Sequence, residues 1–410
     1  MNQAKFVCEE GKCTACGSCI QICPMHCISY YKNSHETKMA IKDPTKCTSC
    51  HLCESACPQN MIRRGSKPLR CYAAWSCDEN ERLTSASGGI ATEIYNHFAS
   101  IGGYYAGVSI DSDYTTTYKL NNYPTYMGEF KNSKYVYSDT ADVFKKIAKT
   151  LGMGKEVAFI GLPCQVAGLK QYLEVKRINC SRLFLVDIVC HGTAPDEFLK
   201  EHITSIEEKK KRKAKQVLFR DPDEGTHTFT FSLKDDKGTF YKKRVHRTDT
   251  YQVGYHNGII YRDNCYQCRY ACCERYGDLT ISDFSGLGKI QPFEMSHRNV
   301  SCVLVNTEKG QEIIDLLAIE KSICAHERPL DEALKYEKQL QHPTPETDYR
   351  KKFLVLYEQT HDFEFSVQQS AAPIMKRNEL RYYSHVEEIR NCISAVVPRK
   401  MKTRLKRLLK

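Results

Sequence analysis

The sequence predicts a protein of mixed α+β and α/β class, in which a small cysteine-dense domain precedes a larger mixed α/β domain and a helical C-terminal extension. Three observations predict it. Two copies of one cysteine run occupy the first sixty residues. Farther on, two apolar strand-like runs each pass through a cysteine-bearing turn into a helical pattern. Beyond residue 330 the chain is polar, with helical periodicity.

The cysteine runs come first in the chain. Cys13, Cys16, Cys19 and Cys23-Pro24 recur as Cys47, Cys50, Cys53 and Cys57-Pro58, at a constant offset of 34 residues. A short loop wraps three thiolates round one face of a cubane, and the proline then turns the chain away. A CxxCxxCxxxCP run holds a [4Fe-4S] cluster, with the fourth cysteine ligating the cluster of the other run. The expected ligand sets are therefore crossed: Cys13, Cys16, Cys19 and Cys57 for one cluster, and Cys47, Cys50, Cys53 and Cys23 for the second. Zinc sites use one or two CxxC pairs rather than a triple followed by Cys-Pro. Residues 1–66 thus read as a ferredoxin-like domain with two [4Fe-4S] clusters.

Composition bounds the rest. The ferredoxin-like segment leaves most of the 410 residues for a body large enough to bury substantial cores. The 22 cysteines would suit a disulfide scaffold in a short secreted chain, but no signal peptide precedes Met1-Asn2-Gln3-Ala4-Lys5, and thiolate ligands must stay reduced. The expected setting is the cytoplasm of an anaerobe. The longest strand-like apolar run, Leu183–Val186, is interrupted by Asp187, so no membrane span is expected.

The formal charge of +11 is concentrated in two runs, six Lys/Arg within residues 209–215 and seven within 399–410; without these thirteen cations the remainder stands at −2. A near-neutral body without a nucleic-acid motif argues against a nucleic-acid partner. In the terminal run Met401, Leu405, Leu408 and Leu409 recur at helical spacing beneath Lys402, Arg404, Lys406, Arg407 and Lys410. This fits a solvated helix, with weak peripheral contact to an anionic membrane surface as the alternative.

Composition shifts divide the remainder into 67–150, 151–330 and 331–410, the first boundary falling in the basic stretch Arg63–Pro68. In the second segment Ser85-Ala86-Ser87-Gly88-Gly89 opens a helix with Ile90, Ile94 and Phe98 on one face. Exposed N–H groups and the positive helix end there suit the pyrophosphate of a flavin dinucleotide, with Ser85, Ser87, Gly88 and Gly89 as the binding residues.

The third segment delivers cysteines to a sheet edge. Val157–Ile160 leads through Gly161-Leu162-Pro163-Cys164 into a helix, and Leu183–Val189 leads to Cys190-His191-Gly192, with Thr193 and Pro195 at another helix start. Right-handed strand-helix-strand units bring both cysteines to one carboxyl edge, where ligands bind. Cys265 and Cys268 form a CxxC pair before the strand-like Asp278–Phe284. Together Cys164, Cys190, Cys265 and Cys268 suit a third [4Fe-4S] cluster. Zinc fits four thiolates equally well on ligand count, the cluster being favoured by the two already expected. Cys272 or Cys273 competes for one ligand position. His191 and Asp283 are acid-base candidates, each weighed against a structural role, as are Lys170 and Arg275 as phosphate partners against simple ion pairs.

These residues, over roughly 70–320, resemble the coenzyme F(420) hydrogenase/dehydrogenase beta subunits. The resemblance rests on Cys71–Trp75, Ser85–Ile90, Gly161–Gln165, Asp187–Gly192, Cys265–Cys268, Arg275, Asp278–Gly286 and Cys302–Thr307. It implies an iron-sulfur flavoprotein oxidoreductase that passes electrons between FAD, a cubane and a hydride carrier, with flavin near the Ser85–Gly89 loop. The implied partners are an external ferredoxin or redox subunit and a small-molecule substrate. The alternative is an electron-transfer subunit feeding another enzyme. One departure is Ser285 in Asp283-Phe284-Ser285-Gly286, where the family pattern has tryptophan. The resemblance leaves open whether the deazaflavin coenzyme itself is used.

Overall fold

The structure, a computed structural model, describes residues 5–61 and 65–383. The basic tail 399–410, and with it the membrane-contact expectation, lies outside the described residues.

In the N-terminal domain β1 (Lys5–Phe6), β2 (Ile28–Lys32) and β3 (Lys38–Lys42) form an antiparallel sheet in the order β1-β3-β2. The sequence repeat is also a conformational one. Ala15 and Ser49 both take positive φ, 51° and 56°, and two residues later so do Gly17 and His51, at 82° and 58°. Each left-handed residue turns an amide inward, and the N–H groups of Ala15 and Ser49 donate to the Sγ of Cys13 and Cys47, both at 3.4 Å. Short helices, Ser18–Ile22 and Leu52–Ser55, follow each loop.

The second domain begins with β4 (Arg70–Ser76), β5 (Tyr104–Ile110), β6 (Thr116–Asn121), β7 (Val157–Gly161) and β8 (Leu183–Ile188). A side sheet of β9 (Gln216–Leu218), β10 (Phe231–Asp235) and β11 (Gly238–Lys243) interrupts before β12 (Leu279–Asp283), β13 (Ser301–Val305) and β14 (Ile323–Arg328) complete the main sheet. Its order is β14-β4-β13-β12-β8-β7-β5-β6. Strands β4, β5, β7, β8 and β12 share one direction, and β6, β13 and β14 run against them. Ser76, Gly161, Ile188 and Asp283 therefore end at one edge, which is where the Ser85–Gly89 loop, Cys164 and Cys190 follow.

Helices Ile90–Ser100 and Glu308–Ile319 cover one sheet face, with Phe98 stacked on Phe184 at 5.7 Å. Helices Val143–Gly152 and Pro163–Val175 cover the other, and here the N-terminal domain docks, burying Ile22 and Ala56 among Phe144, Val166 and Leu169. Each buried Ile or Phe contributes roughly 1.5–3 kcal/mol. Residues 348–370 are more than a polar cover. Helices Asp348–Thr360 and Phe363–Ser370 build a separate core with Phe198, Phe231 and Tyr251 around Phe353 and Phe363. The basic run 209–215 closes a helix, and Arg212, Lys213 and Lys215 pair with Asp235, Glu207 and Asp236, the solvated helix end expected. Among the described residues no helix is long and apolar enough to cross a membrane.

That separate core holds a buried ionic group with a pH signature. The His202 ring lies 3.0 Å from Asp249 and 2.5 Å from Glu364. Burial disfavours its cation, but the two carboxylates more than offset this and raise its pKa from 6.5 to about 10. A raised pKa means stability present in full below the unfolded value of about 6.5 and lost as pH climbs through the folded one. The melting temperature is expected to fall between pH 7 and 10, and the gap between the wild type and His202→Gln to narrow over the same range. Thermal scans of both proteins across that range check it.

Candidate iron-sulfur and redox site

In the N-terminal domain the four cysteines expected for one cluster face a common space. Cys13, Cys16, Cys19 and Cys57 line one pocket, and Cys8 lines it as a fifth thiol. The donors suit a thiolate-ligated cluster. Hydrogen bonding from the Cys8 thiol lowers the Cys13 pKa, and the amides of Ala40 and Ala15 and the Arg262 charge add to this against burial. Lowering favours the thiolate, which is the ligating form. Cys23, Cys47 and Cys53 pack in the same cluster as Cys19 and Cys57, with Cys27 placed 3.4 Å from the Cys23 Sγ. Cys50, the remaining member of that set, is exposed.

In the main domain Cys164 opens the helix Pro163–Val175, Pro163 occupying the first helical position where its missing N–H costs nothing. Cys190 follows β8, and Cys265 and Cys268 come in on the loop after Arg262. All four line one pocket. Neither Cys272 nor Cys273 lines it, and the Cys272 Sγ turns to the carbonyls of Arg269 and Glu274 at 3.6 and 3.5 Å. Burial, then the thiols of Cys268, Cys190, Cys16 and Cys265, pushes Cys164 far above the usual thiol range. Burial, then Cys265, pushes Cys268 up to about 11. Cys164, Cys190 and Cys268, buried thiols that resist ionisation alone, become ligands when a cationic iron core neutralises them. Three buried polar atoms at the same place, Thr14 Oγ1, Arg262 Nε and Asn264 Oδ1, have no protein partner. Such orphaned groups fit a bound polar body in the cavity.

The two cavities adjoin. Thr14 lines both. Arg262, 3% exposed, donates to Thr14 O at 3.0 Å and Lys38 O at 3.2 Å and lies over the Tyr137 ring. Among the described residues no carboxylate is in ion-pair reach of this guanidinium, which rests instead on those two carbonyls and the Tyr137 ring. A side chain at Gly168 would sit 2.9 Å from the Cys16 Sγ, so glycine lets the helix that begins at Cys164 pack directly on the Cys16 loop.

Beyond Cys190 the sheet edge continues toward the glycine loop. His191 is half-exposed and 3.9 Å from Glu337, which also accepts from Ser285 Oγ at 2.9 Å. Burial lowers the His191 pKa. Asp283 is paired with Arg220, whose guanidinium also donates to Ala86 O and to the Tyr135 hydroxyl and lies 3.7 Å over Phe229. Arg220 therefore ties the glycine loop to the end of β12.

The loop itself is heavily built in. Ser85 Oγ donates to Glu81 and Ser87 Oγ to Val300 O, so both hydroxyls serve the loop. Gly88 packs so closely that a Cβ would lie 2.4 Å from Ala74 O. Thr92 and Glu93 N–H donate to Gly89 O, so what the loop leaves for a phosphate is the Ile90 and Ala91 N–H groups, which follow Gly89 in the left-handed conformation. The fit to a flavin dinucleotide rests on that backbone alone.

Two candidates belong to the fold. Arg275 is locked to Asp187, and Lys170 donates to Tyr276 O at 3.3 Å. Five residues of the site were missed in sequence: Thr14, Arg220, Arg262, Asn264 and Glu337. Arg262 had one available signal, standing three residues before the CxxC pair.

Residues 154–331 match the family model for the C terminus of the beta subunit of coenzyme F420 hydrogenase/dehydrogenase, and residues 12–61 match a 4Fe-4S dicluster domain. No curated protein matches the chain. Among solved structures, one from xenon derivatization of the F420-reducing [NiFe] hydrogenase complex of Methanosarcina barkeri aligns with a TM-score of 0.45 at 15% identity. The alignment covers 78% of this chain and 95% of that one.

Proposed function

With residues 154–331 in the coenzyme F420 hydrogenase/dehydrogenase beta-subunit family and residues 12–61 a 4Fe-4S dicluster domain, we propose an iron-sulfur flavoprotein oxidoreductase acting on a small organic substrate or deazaflavin-like carrier. Three [4Fe-4S] clusters are assigned to Cys13, Cys16, Cys19 and Cys57; to Cys23, Cys47, Cys50 and Cys53; and to Cys164, Cys190, Cys265 and Cys268. FAD is assigned to the Ser85–Gly89 loop. When bound, the clusters supply one-electron transfer and the flavin exchanges electron pairs as hydride.

The observation that carries this reading is the shared wall: Thr14 lines both the Cys13 cavity and the Cys164 cavity. The residues have distinct tasks. Thr14, Asn264 and the Arg262 guanidinium exclude water between the two cavities, and Arg262 offsets negative charge there. Arg220 and Asp283 hold the glycine loop against the strand ends. His191 and Glu337 flank that edge as groups able to hold a proton.

The second reading is an electron-transfer subunit whose substrate chemistry lies on a partner, and the exposed Cys50 at the far cluster favours contact with an external redox protein. Anaerobic isolation separates the two. FAD in a denatured extract, with reduction of an added hydride acceptor by the isolated chain, is the result expected of the enzyme. Clusters without flavin, and turnover only after a partner is added, would replace it with the relay.

A further inference from the structure

At the outer edge of the main sheet, β14 pairs with β4 in antiparallel register, Cys324 opposite Trp75 and Ile323 opposite Ser76. The chain runs one residue past β4 to Cys77, whose amide donates to Ser322 O at 2.9 Å. Cys77 and Cys324 are thereby diagonal neighbours on one face, and their sulfurs stand 3.1 Å apart. Cys77 is exposed and Cys324 half-buried. We propose that Cys77 and Cys324 are a reversible dithiol/disulfide couple, oxidised by low-molecular-weight disulfides of the glutathione type, that staples β14 to the end of β4.

A disulfide brings sulfurs to about 2.05 Å, so this pair has only about one ångström left to close; diagonal neighbours on adjacent strands stand roughly 7–8 Å apart, at the outer limit of what a disulfide spans, and closure draws the end of β4 and β14 together. In the reaction one protein thiolate attacks the small disulfide, forming a mixed disulfide and releasing one small thiol. The second protein thiol then displaces the other small thiol. Two electrons pass from the protein to the small disulfide, and the two protons end on the released thiols. Burial, then the Cys324 thiol, raises the Cys77 pKa to about 11, so closure accelerates as pH rises.

The buried pair Cys71 and Cys302 is an internal control. Its sulfurs are 3.8 Å apart in the same sheet, but both residues are closed to solvent. The staple acts on the site through Ser76, which donates its amide to Gly88 O and its hydroxyl to Glu93 at 2.6 Å. Closing Cys77 onto Cys324 therefore fixes the strand end from which the Ser85–Gly89 loop hangs.

The test uses the full cluster-loaded chain without oxygen, treated with oxidised glutathione, quenched with N-ethylmaleimide and mapped by peptide mass spectrometry. A linked Cys77–Cys324 peptide, reversed by dithiothreitol, with unchanged iron and alkylatable Cys71 and Cys302 only after denaturation, is the result expected. Cys77→Ser should abolish the linked peptide, and the oxidised wild type should melt several degrees higher than the reduced form. Both thiols remaining alkylatable, or glutathione held stably on Cys77 without resolution by Cys324, would overturn the proposal.

Discussion

Cys190→Ala is expected to cut the iron content by about four per chain and to leave the N-terminal clusters reducible by dithionite. Cys190 leaves β8 at the carboxyl edge and faces the same cavity as Cys164, Cys265 and Cys268. Three thiolates cannot complete four-cysteine ligation of a cubane. Reduction of the N-terminal domain should then no longer reach the main domain, so electron delivery to an added acceptor should fall by more than the roughly 10–100-fold that loss of an outer-shell partner costs. Iron analysis and stopped-flow reduction of the variant check both outcomes. An unchanged iron content would remove Cys190 from the ligand set.

Asp187→Ala is the substitution expected to cost most in stability, about 3–5 kcal/mol, because it strands a buried guanidinium. Asp187 is fully buried and accepts from Arg275 at 2.6 Å, from Thr280 Oγ1 at 2.7 Å and from the amides of Tyr276 and Gly277 at 3.1 and 2.9 Å. Arg275 in turn exchanges backbone hydrogen bonds with Ser66 at the start of the main domain. One carboxylate thus joins β8, β12 and the segment that leads in from the N-terminal domain. The double variant Asp187→Ala with Arg275→Met should recover part of the loss, since both charges are gone. Thermal unfolding of the two variants and the wild type gives the comparison, and equal stability of wild type and Asp187→Ala would contradict the role assigned.

What could be read in advance follows from the range of the forces involved. Ligand spacing in the cysteine runs is a local constraint, so the two matching loops were legible, whereas the left-handed residues that shape them were not, since Ala15, Ser49 and His51 carry no signal for that conformation. The turns at Cys164 and Cys190 were legible for a similar reason: Pro163 marks a helix start and an apolar run marks a buried parallel strand. That β13 and β14 run antiparallel beside β4 was not, because register depends on partners more than 200 residues away in the chain.

Polar residues mislead most. Arg275, singled out as a phosphate candidate, meets Asp187, and the hydroxyls of Ser85 and Ser87 hold their own loop together. Conversely Glu337 and Arg262 gave little sign of importance, since a lone charge acquires meaning only from what packs round it. The polar stretch after residue 330 looked like covering, yet it brings Glu337 to His191, Pro343 to the Cys164 cavity and Arg350 to Asp263.

Iron and acid-labile sulfide counted per chain, in protein isolated and reconstituted without oxygen, tests the central assignment most directly. Three cubanes require about twelve of each, with the third lost in Cys190→Ala. About eight of each in fully reconstituted wild type, with zinc or free thiols at Cys164, Cys190, Cys265 and Cys268, would contradict it.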